Sequence, residues 1–191
     1  ARTTFAKNIK TVLEKNKLDG IDLDFEWAEN EKEYKDYSLA ILKMREVLGD
    51  KYLFSVSLHP VCYKISKEAI EAVDFISLQC YGPSPVRFPI EKYCSDIQMV
   101  LEYGIPKEKL VAGVPFYGVT KDNSKKTEAY FNFVQNGLVT SPAQNEVIYQ
   151  GDTYVFDGQD NIRIKTRYAK EQKLKGMMSW DLATDLPLSD S

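Results

Sequence analysis

Residues Asp22, Asp24 and Glu26 put an acid at every second position of a short segment whose intervening residues, Ile21, Leu23 and Phe25, are apolar. Alternation of this kind marks a β-strand, in which residues two apart share a face. One face is apolar and needs covering by helices. The other carries three carboxylates spaced about 7 Å apart. Acids so placed repel one another, and burial adds a desolvation penalty. Such a face persists when the acids hold protons, pair with partners or do chemistry. An exposed edge strand is a plainer reading. A calcium site is another, but the loop spacing with a central Gly and a terminal Glu is missing. Stacked acids also raise one another's pKa, the device that keeps a Glu protonated near neutral pH as a general acid.

The rest of the chain says what fold such a strand belongs to. Apolar residues recur at helical spacing over Thr3 to Asn16, over Glu31 to Leu48, behind an N-cap at Ser66, over Ile90 to Tyr103 and near Asn161 to Lys173. Short β-rich runs lie between them at Tyr52 to Leu58, Phe75 to Tyr81, Leu110 to Phe116 and Gly176 to Trp180. Strands separated by helices predict βα units and a parallel sheet, either doubly wound or an arc of a barrel. Catalysis in a parallel barrel sits at the C-terminal strand ends, where Glu26 falls. The rhythm breaks over 119–160, which is polar and turn-rich yet carries Tyr130, Phe131, Phe133, Tyr149, Tyr154 and Phe156. A hairpin is expected around Gly151-Asp152. This stretch reads as a small insertion before the last strand of one domain spanning 1–191.

Composition removes other classes of function. A net charge of −3 with dispersed Lys and Arg offers no basic face, so no nucleic-acid partner is expected. No apolar run approaches the roughly 18 residues of a membrane helix, so no membrane insertion is expected. Cys62, Cys80 and Cys94 lack CxxC spacing, and His59 is the single histidine. Neither a disulfide framework nor a metal site is expected from them. His59 reads as a hydrogen-bonded strand-end residue or as a cleft-lining one.

Asp19-Gly20-Ile21-Asp22-Leu23-Asp24-Phe25-Glu26 resembles the DGxDxDxE signature of family 18 glycoside hydrolases, the chitinase family. Further segments agree in order. Phe75-Ile76-Ser77-Leu78-Gln79-Cys80-Tyr81 is similar to the family's strand ending in Met-x-Tyr-Asp. Leu110 to Gly118 resembles its Gly-[Ile/Val/Leu]-Pro-Phe-Tyr-Gly strand. Gly176-Met177-Met178-Ser179-Trp180 resembles its last strand, which ends in Trp. The resemblance covers nearly the whole chain.

The resemblance implies an α/β fold, a (β/α)8 TIM barrel of which this chain carries about strands 4 to 8. A complete barrel takes about 250 residues. The missing N-terminal part of the barrel is then an expected partner, and the isolated chain is expected to be inactive. The resemblance further implies retaining, substrate-assisted hydrolysis of β-1,4-linked N-acetylglucosamine polymers, chitin or chitooligosaccharides, through an oxazolinium intermediate. Glu26 would protonate the glycosidic oxygen, Asp24 would steady the acetamido group and Asp22 would share a proton with Asp24. Tyr81 would hold the acetamido carbonyl and Trp180 would floor the sugar. Gln79, Tyr117, Phe116 and Trp27 are further candidates for substrate binding. No metal or cofactor is needed, and a polymeric substrate implies a secreted or extracellular protein. Gly82 stands where the family usually has Asp, Val119 where Arg is common, and Ala28-Glu29 where Tyr-Pro or Pro often stands. The alternatives are an endo-β-N-acetylglucosaminidase acting on N-glycans or peptidoglycan, and a non-catalytic lectin-like binder. Such binders usually lose the terminal Glu or a neighbouring Asp, and both are present here.

Overall fold

Five parallel strands lie side by side in the order β1 (Gly20–Asp24), β2 (Leu53–Leu58), β3 (Phe75–Leu78), β4 (Leu110–Pro115) and β9 (Gly176–Trp180). The structure, a computed structural model, describes residues 1–81, 88–122 and 126–186. Helices α1 (Arg2–Asn16), α2 (Glu31–Leu48), α3 (Lys67–Ala72), α4 (Ile90–Tyr103) and α6 (Gln159–Glu171) precede or connect the strands. No helix among the described residues is long and apolar enough to cross a membrane.

Local chemistry sets the helix limits. Asn30 caps α2 by accepting from the Glu33 N–H at 3.1 Å, while the Glu33 carboxylate accepts from the Glu29 N–H at 2.8 Å. Ser66 caps α3 by accepting from the Ala69 N–H at 3.3 Å, as its position predicts. Gly104 ends α4 at φ 113°, a left-handed conformation that costs a side-chain-bearing residue steric strain.

The two faces of the sheet differ in chemistry. On one face Phe54, Val56, Leu58, Ile76 and Leu78 pack against Leu13, Ile41, Met44, Ile70, Tyr93 and Ile97 of the helices, all buried. Each such side chain contributes about 1.5–3 kcal/mol when removed from water. The opposite face carries Asp22, Asp24, Ser55, Ser57 and Ser77. The register is what aligns them: Asp22 sits beside Ser55, Asp24 beside Ser57, and Ser57 beside Ser77. Near the strand starts, the Arg45 guanidinium pairs with Asp74 at 2.7 Å and donates to the carbonyls of Gly49, Tyr52 and Ala72. The Lys109 ammonium donates to the carbonyls of Ile70, Glu71 and Val73, satisfying the C-terminal end of α3.

Two strands end two or more residues before the periodicity predicts. β1 stops at Asp24 and β3 at Leu78, so Glu26, Gln79 and Tyr81 stand on the segments just beyond the strand ends. After Leu78 the backbone turns, with the Cys80 N–H donating to the Leu78 carbonyl at 3.0 Å.

Between β4 and α6 lies a second sheet, antiparallel, in the order β6 (Thr127–Ala129), β5 (Tyr117–Thr120), β8 (Asp152–Val155), β7 (Glu146–Tyr149). The β7–β8 hairpin turns at Gln150 (φ 52°) and Gly151 (φ 87°), two positive φ angles in succession, as a type I′ turn requires. A short helix, α5 (Tyr130–Gln135), covers this sheet, and Tyr130, Phe133, Val147, Tyr154 and Phe156 form its own core. The expected hairpin is present, but β5 begins at Tyr117, and β5, β6 and α5 are not legible in the polar sequence around them.

Where β8 leads into α6, Asp157 and Lys165 form an ion pair at 2.5 Å with both side chains essentially inaccessible. Asn161 also donates to Asp157, and the Lys165 ammonium lies over the rings of Tyr93 and Phe88. Burial pushes the Asp157 carboxyl up, while Lys165 favours its charge. A buried charge stripped of its partner is costly, whereas an apolar pair of similar volume is tolerated. Asp157→Ala should therefore lower stability by about 3–5 kcal/mol in urea unfolding, and the double change Asp157→Leu with Lys165→Met should lose much less.

Candidate active site

The acid row faces a cavity of about 860 Å³ at the C-terminal ends of the parallel strands. Four of the five strands of that sheet, β1, β2, β3 and β9, contribute to its wall or rim with the segments that follow them, and β5 adds its first residue. Asp22, Asp24, Glu26 and Trp27 come from β1 and the segment after it; Ser55, Ser57 and His59 from β2 and its end. Ser77, Gln79 and Tyr81 come from β3 and beyond, Tyr117 from just past β4, and Met178, Ser179 and Trp180 from β9. Residues of β1 and β9, the two edges among the described residues, line the same hollow, so the sheet curves around it.

Asp22 has two hydroxyl donors of its own, whereas Asp24 and Glu26 share one amide. The Ser55 hydroxyl donates to Asp22 Oδ1 at 2.5 Å, and the Ser57 hydroxyl to Asp22 Oδ2 at 2.6 Å. The Gln79 side-chain amide donates to Asp24 Oδ1 at 3.3 Å and to Glu26 Oε1 at 3.1 Å. The three acids are exposed to the open cavity and not buried beneath it. Even so, partial desolvation pushes the Asp24 carboxyl up to about 6; the charges of Glu26 and Asp22 add to the rise, and Gln79 opposes it. Stacking predicts a Glu as the proton-holding member of the row. The acid that burial and its neighbours push up is Asp24.

The aromatic walls are assembled from separate segments. Tyr81 is buried; its hydroxyl lies 3.9 Å from Met178 Sδ, and its ring meets Tyr117 edge-on at 6.4 Å. Burial raises the Tyr81 hydroxyl pKa well above its usual value, with Tyr117, Asp24 and Glu26 adding to the effect, so it remains a hydrogen-bond donor. Trp27 stands edge-on to His59 at 4.4 Å. His59 is both things its position allowed. It is buried with Nδ1 accepting from the Val61 N–H at 3.3 Å, and it lines the cavity. The Cys62 sulfur accepts from the Ala28 N–H at 3.1 Å, tying the segment after Glu26 to the end of β2. Trp180 is 56 % exposed at the rim. The peptide bonds Glu26–Trp27 and Trp180–Asp181 are both cis.

The structure thus gathers Asp22, Asp24, Glu26, Trp27, Gln79, Tyr81, Tyr117 and Trp180 around one cavity. Phe116 is the exception. It lines a separate hollow with Tyr130, Ile162 and Leu186, on the far side of β4 from the acids. Adjacent residues of an extended chain point to opposite sides, so Tyr117 in the cavity sends Phe116 away from it. Val119 is buried against Tyr81 and Phe88 and serves as packing behind the wall. Gly82 lies outside the described residues. Sequence reasoning passed over Ser55, Ser57, Ser77 and Met178. The alternation of Ser with apolar residues in Leu53–Leu58 is a signal that would have found the first two, because it has the same period as the acids.

Comparisons with known proteins bear on the family and the fold. The model of the family described as "Glycosyl hydrolases family 18" matches residues 1–185. "Probable chitinase 2" of Drosophila melanogaster is 23% identical over 248 residues, covering 96% of this chain and 51% of that protein. The GH18 chitinase ChiB of Flavobacterium johnsoniae superposes with a TM-score of 0.79 at 27% identity, covering 95% of this chain and 60% of that one. The chitinase-like agglutinin RobpsCRA of Robinia pseudoacacia superposes at 0.79 with 20% identity, covering 97% and 69%. The chain spans about half the length of the curated relative it matches.

The raised Asp24 carboxyl has a consequence for stability. In the unfolded chain it would titrate near 3.8, in the folded chain near 6. The folded state therefore binds the proton more tightly, and Asp24 makes the protein less stable as pH rises from about 4 to 6. Asp24→Asn removes that loss. It should raise stability at pH 7 by up to about 1 kcal/mol, after discounting for solvent screening, and change it little at pH 3.5, as read by thermal unfolding at the two pH values.

Proposed function

The chain belongs to glycosyl hydrolases family 18, and from that premise we propose that it is the acid-bearing part of a hydrolase of β-1,4-linked N-acetylglucosamine polymers, chitin or chitooligosaccharides. The observation that carries the reading is the convergence of Asp24, Glu26, Tyr81 and Trp180, from three different strand ends, on one cavity. The parallel strands, in sequential order, are read as strands 4 to 8 of the family's (β/α)8 barrel, in keeping with the share of ChiB that the chain covers.

In the proposed reaction Glu26 donates its proton to the glycosidic oxygen, which departs as a hydroxyl of the leaving sugar. The carbonyl oxygen of the substrate's 2-acetamido group attacks the anomeric carbon as that bond breaks, giving an oxazolinium ion. Asp24, ionised, accepts from the acetamido N–H and stabilises the cation, an interaction stronger in the transition state than in the ground state. Tyr81 donates to the acetamido carbonyl and orients it for attack. Water, deprotonated by Glu26, then opens the ring at the anomeric carbon with net retention. The indole of Trp180 supplies a flat apolar surface under the pyranose, and Trp27 and Tyr117 flank neighbouring sugars. No metal or organic cofactor enters this scheme. Polymers of this kind are met outside the cytoplasm, which fits a secreted or extracellular protein.

A binding-only role is the second reading, favoured by the likeness of the fold to a chitinase-like agglutinin. Retention of all three acids supports hydrolysis over it. Activity on N-glycan cores or peptidoglycan is a variant of the hydrolase reading, separated from it by a substrate screen. In the full-length protein, Glu26→Gln should lower kcat on chitooligosaccharides by about 10²–10⁴-fold while binding persists, since a positioned general acid contributes about that much. Equal binding by wild type and variant with no cleavage by either would establish the binder instead.

A further inference from the structure

We infer that Gln79 is a positioning residue that joins Asp24 and Glu26 into one hydrogen-bonded unit and so determines which oxygen of each is free to exchange a proton; the inference rests on the hydrolase reading above. A primary amide nitrogen carries two hydrogens and no available lone pair. Gln79 Nε2 reaches Asp24 Oδ1 and Glu26 Oε1, which accounts for one hydrogen each. The reverse orientation would set a carbonyl oxygen against two acids, so the amide is oriented by its neighbours. An oxygen that is accepting from Gln79 is not the one that bears a proton. The exchangeable proton of Asp24 is therefore on Oδ2, and the oxygen of Glu26 that serves the glycosidic bond is Oε2.

The remaining acid does not compete. Both oxygens of Asp22 accept serine hydroxyls, so its hydrogen bonds run to β2 and not to Gln79, and the unit joined by the amide is Asp24 with Glu26. Gln79 is itself held in place. Its backbone N–H donates to the Leu58 carbonyl at 2.9 Å, at the end of β2, so the side chain starts from a rigid point across from Asp24. The charged and titratable groups facing Asp24 are Asp22 and Glu26 on its own segment, Tyr81 after β3 and Tyr37 on α2. Among these described neighbours Gln79 is the group that favours the ionised form of Asp24.

The test compares wild type, Gln79→Leu and Gln79→Glu in the full-length protein, by carbon-13 carboxyl NMR titration of Asp24 and by the pH dependence of kcat/KM and KM. In Gln79→Leu the Asp24 midpoint should move up by about one pH unit and the acid limb of kcat/KM should follow it. The kcat should fall about 10–100-fold with KM changed less than threefold, as misplacement of reacting groups predicts. Gln79→Glu keeps the shape but adds a negative charge; it should move the Asp24 midpoint up further and recover rate only at the acid end, where its new carboxyl can donate. An unmoved Asp24 midpoint in both variants overturns the inference. So does a rise in KM alone, which would make Gln79 a plain substrate contact. If wild type cleaves no N-acetylglucosamine oligomer, the hydrolase reading fails, and the NMR titration still decides the coupling of Gln79 to the acids.

Discussion

Three carboxylates on consecutive same-face positions are unfavourable for one another, and the organisation around β1 follows from how that repulsion is relieved. The cavity leaves them in contact with water, which lowers the desolvation cost. The neighbouring strand supplies hydroxyls at the positions the register dictates, Ser55 and Ser57 opposite Asp22 and Asp24. The next strand supplies an amide just past its end. A slip of one residue in β2 would replace those serines by Phe54, Val56 or Leu58 on the cavity side and bring the serines to the helix side. The apolar core and the polar site therefore specify the same register, and each makes the other's failure more costly.

The second sheet extends that logic to the far wall. It leaves the main sheet immediately after β4 and returns immediately before α6, so its placement decides where Tyr117 stands relative to Tyr81. Its own aromatic core gives it internal rigidity, and the enclosed Asp157–Lys165 pair ties its exit to α6 and α4. An ion pair in that setting contributes less to net stability than to fixing one arrangement, because misplacement leaves a charge without a partner. The wall of the cavity is thus held by contacts remote from it.

Much of this was legible in the chain because period-two and period-3.6 patterns are strong over the βα units. The limits of α2, α4 and β9 follow from Asn30, Gly104 and the Gly176–Trp180 run. Legibility fails where the determinant is tertiary. β5 and α5 are too short to show a period of their own, and the aromatics of α5 make sense only as one side of a small core. Phe116 reads like Tyr117 in a motif, yet the parity of an extended chain sends the two to different cavities. The donors to Asp22 were concealed for a related reason: a serine in a strand says nothing until its neighbour across the register is known.

The same register also explains how three chemically similar side chains within five residues meet different surroundings. Asp22 faces two hydroxyl donors, one on each oxygen. Asp24 and Glu26 share a single amide, which leaves each with one unoccupied oxygen. Asp24 then feels charge on both sides along its own strand and is the member whose proton affinity rises. Glu26 stands past the strand's end, exposed to the open hollow. The strand repeats an acid at one spacing; the different hydrogen bonding of the three comes from what the neighbouring strands place opposite each position. An acid row of this sequence on a strand lacking those neighbours would carry the same acids without the partners that set them apart.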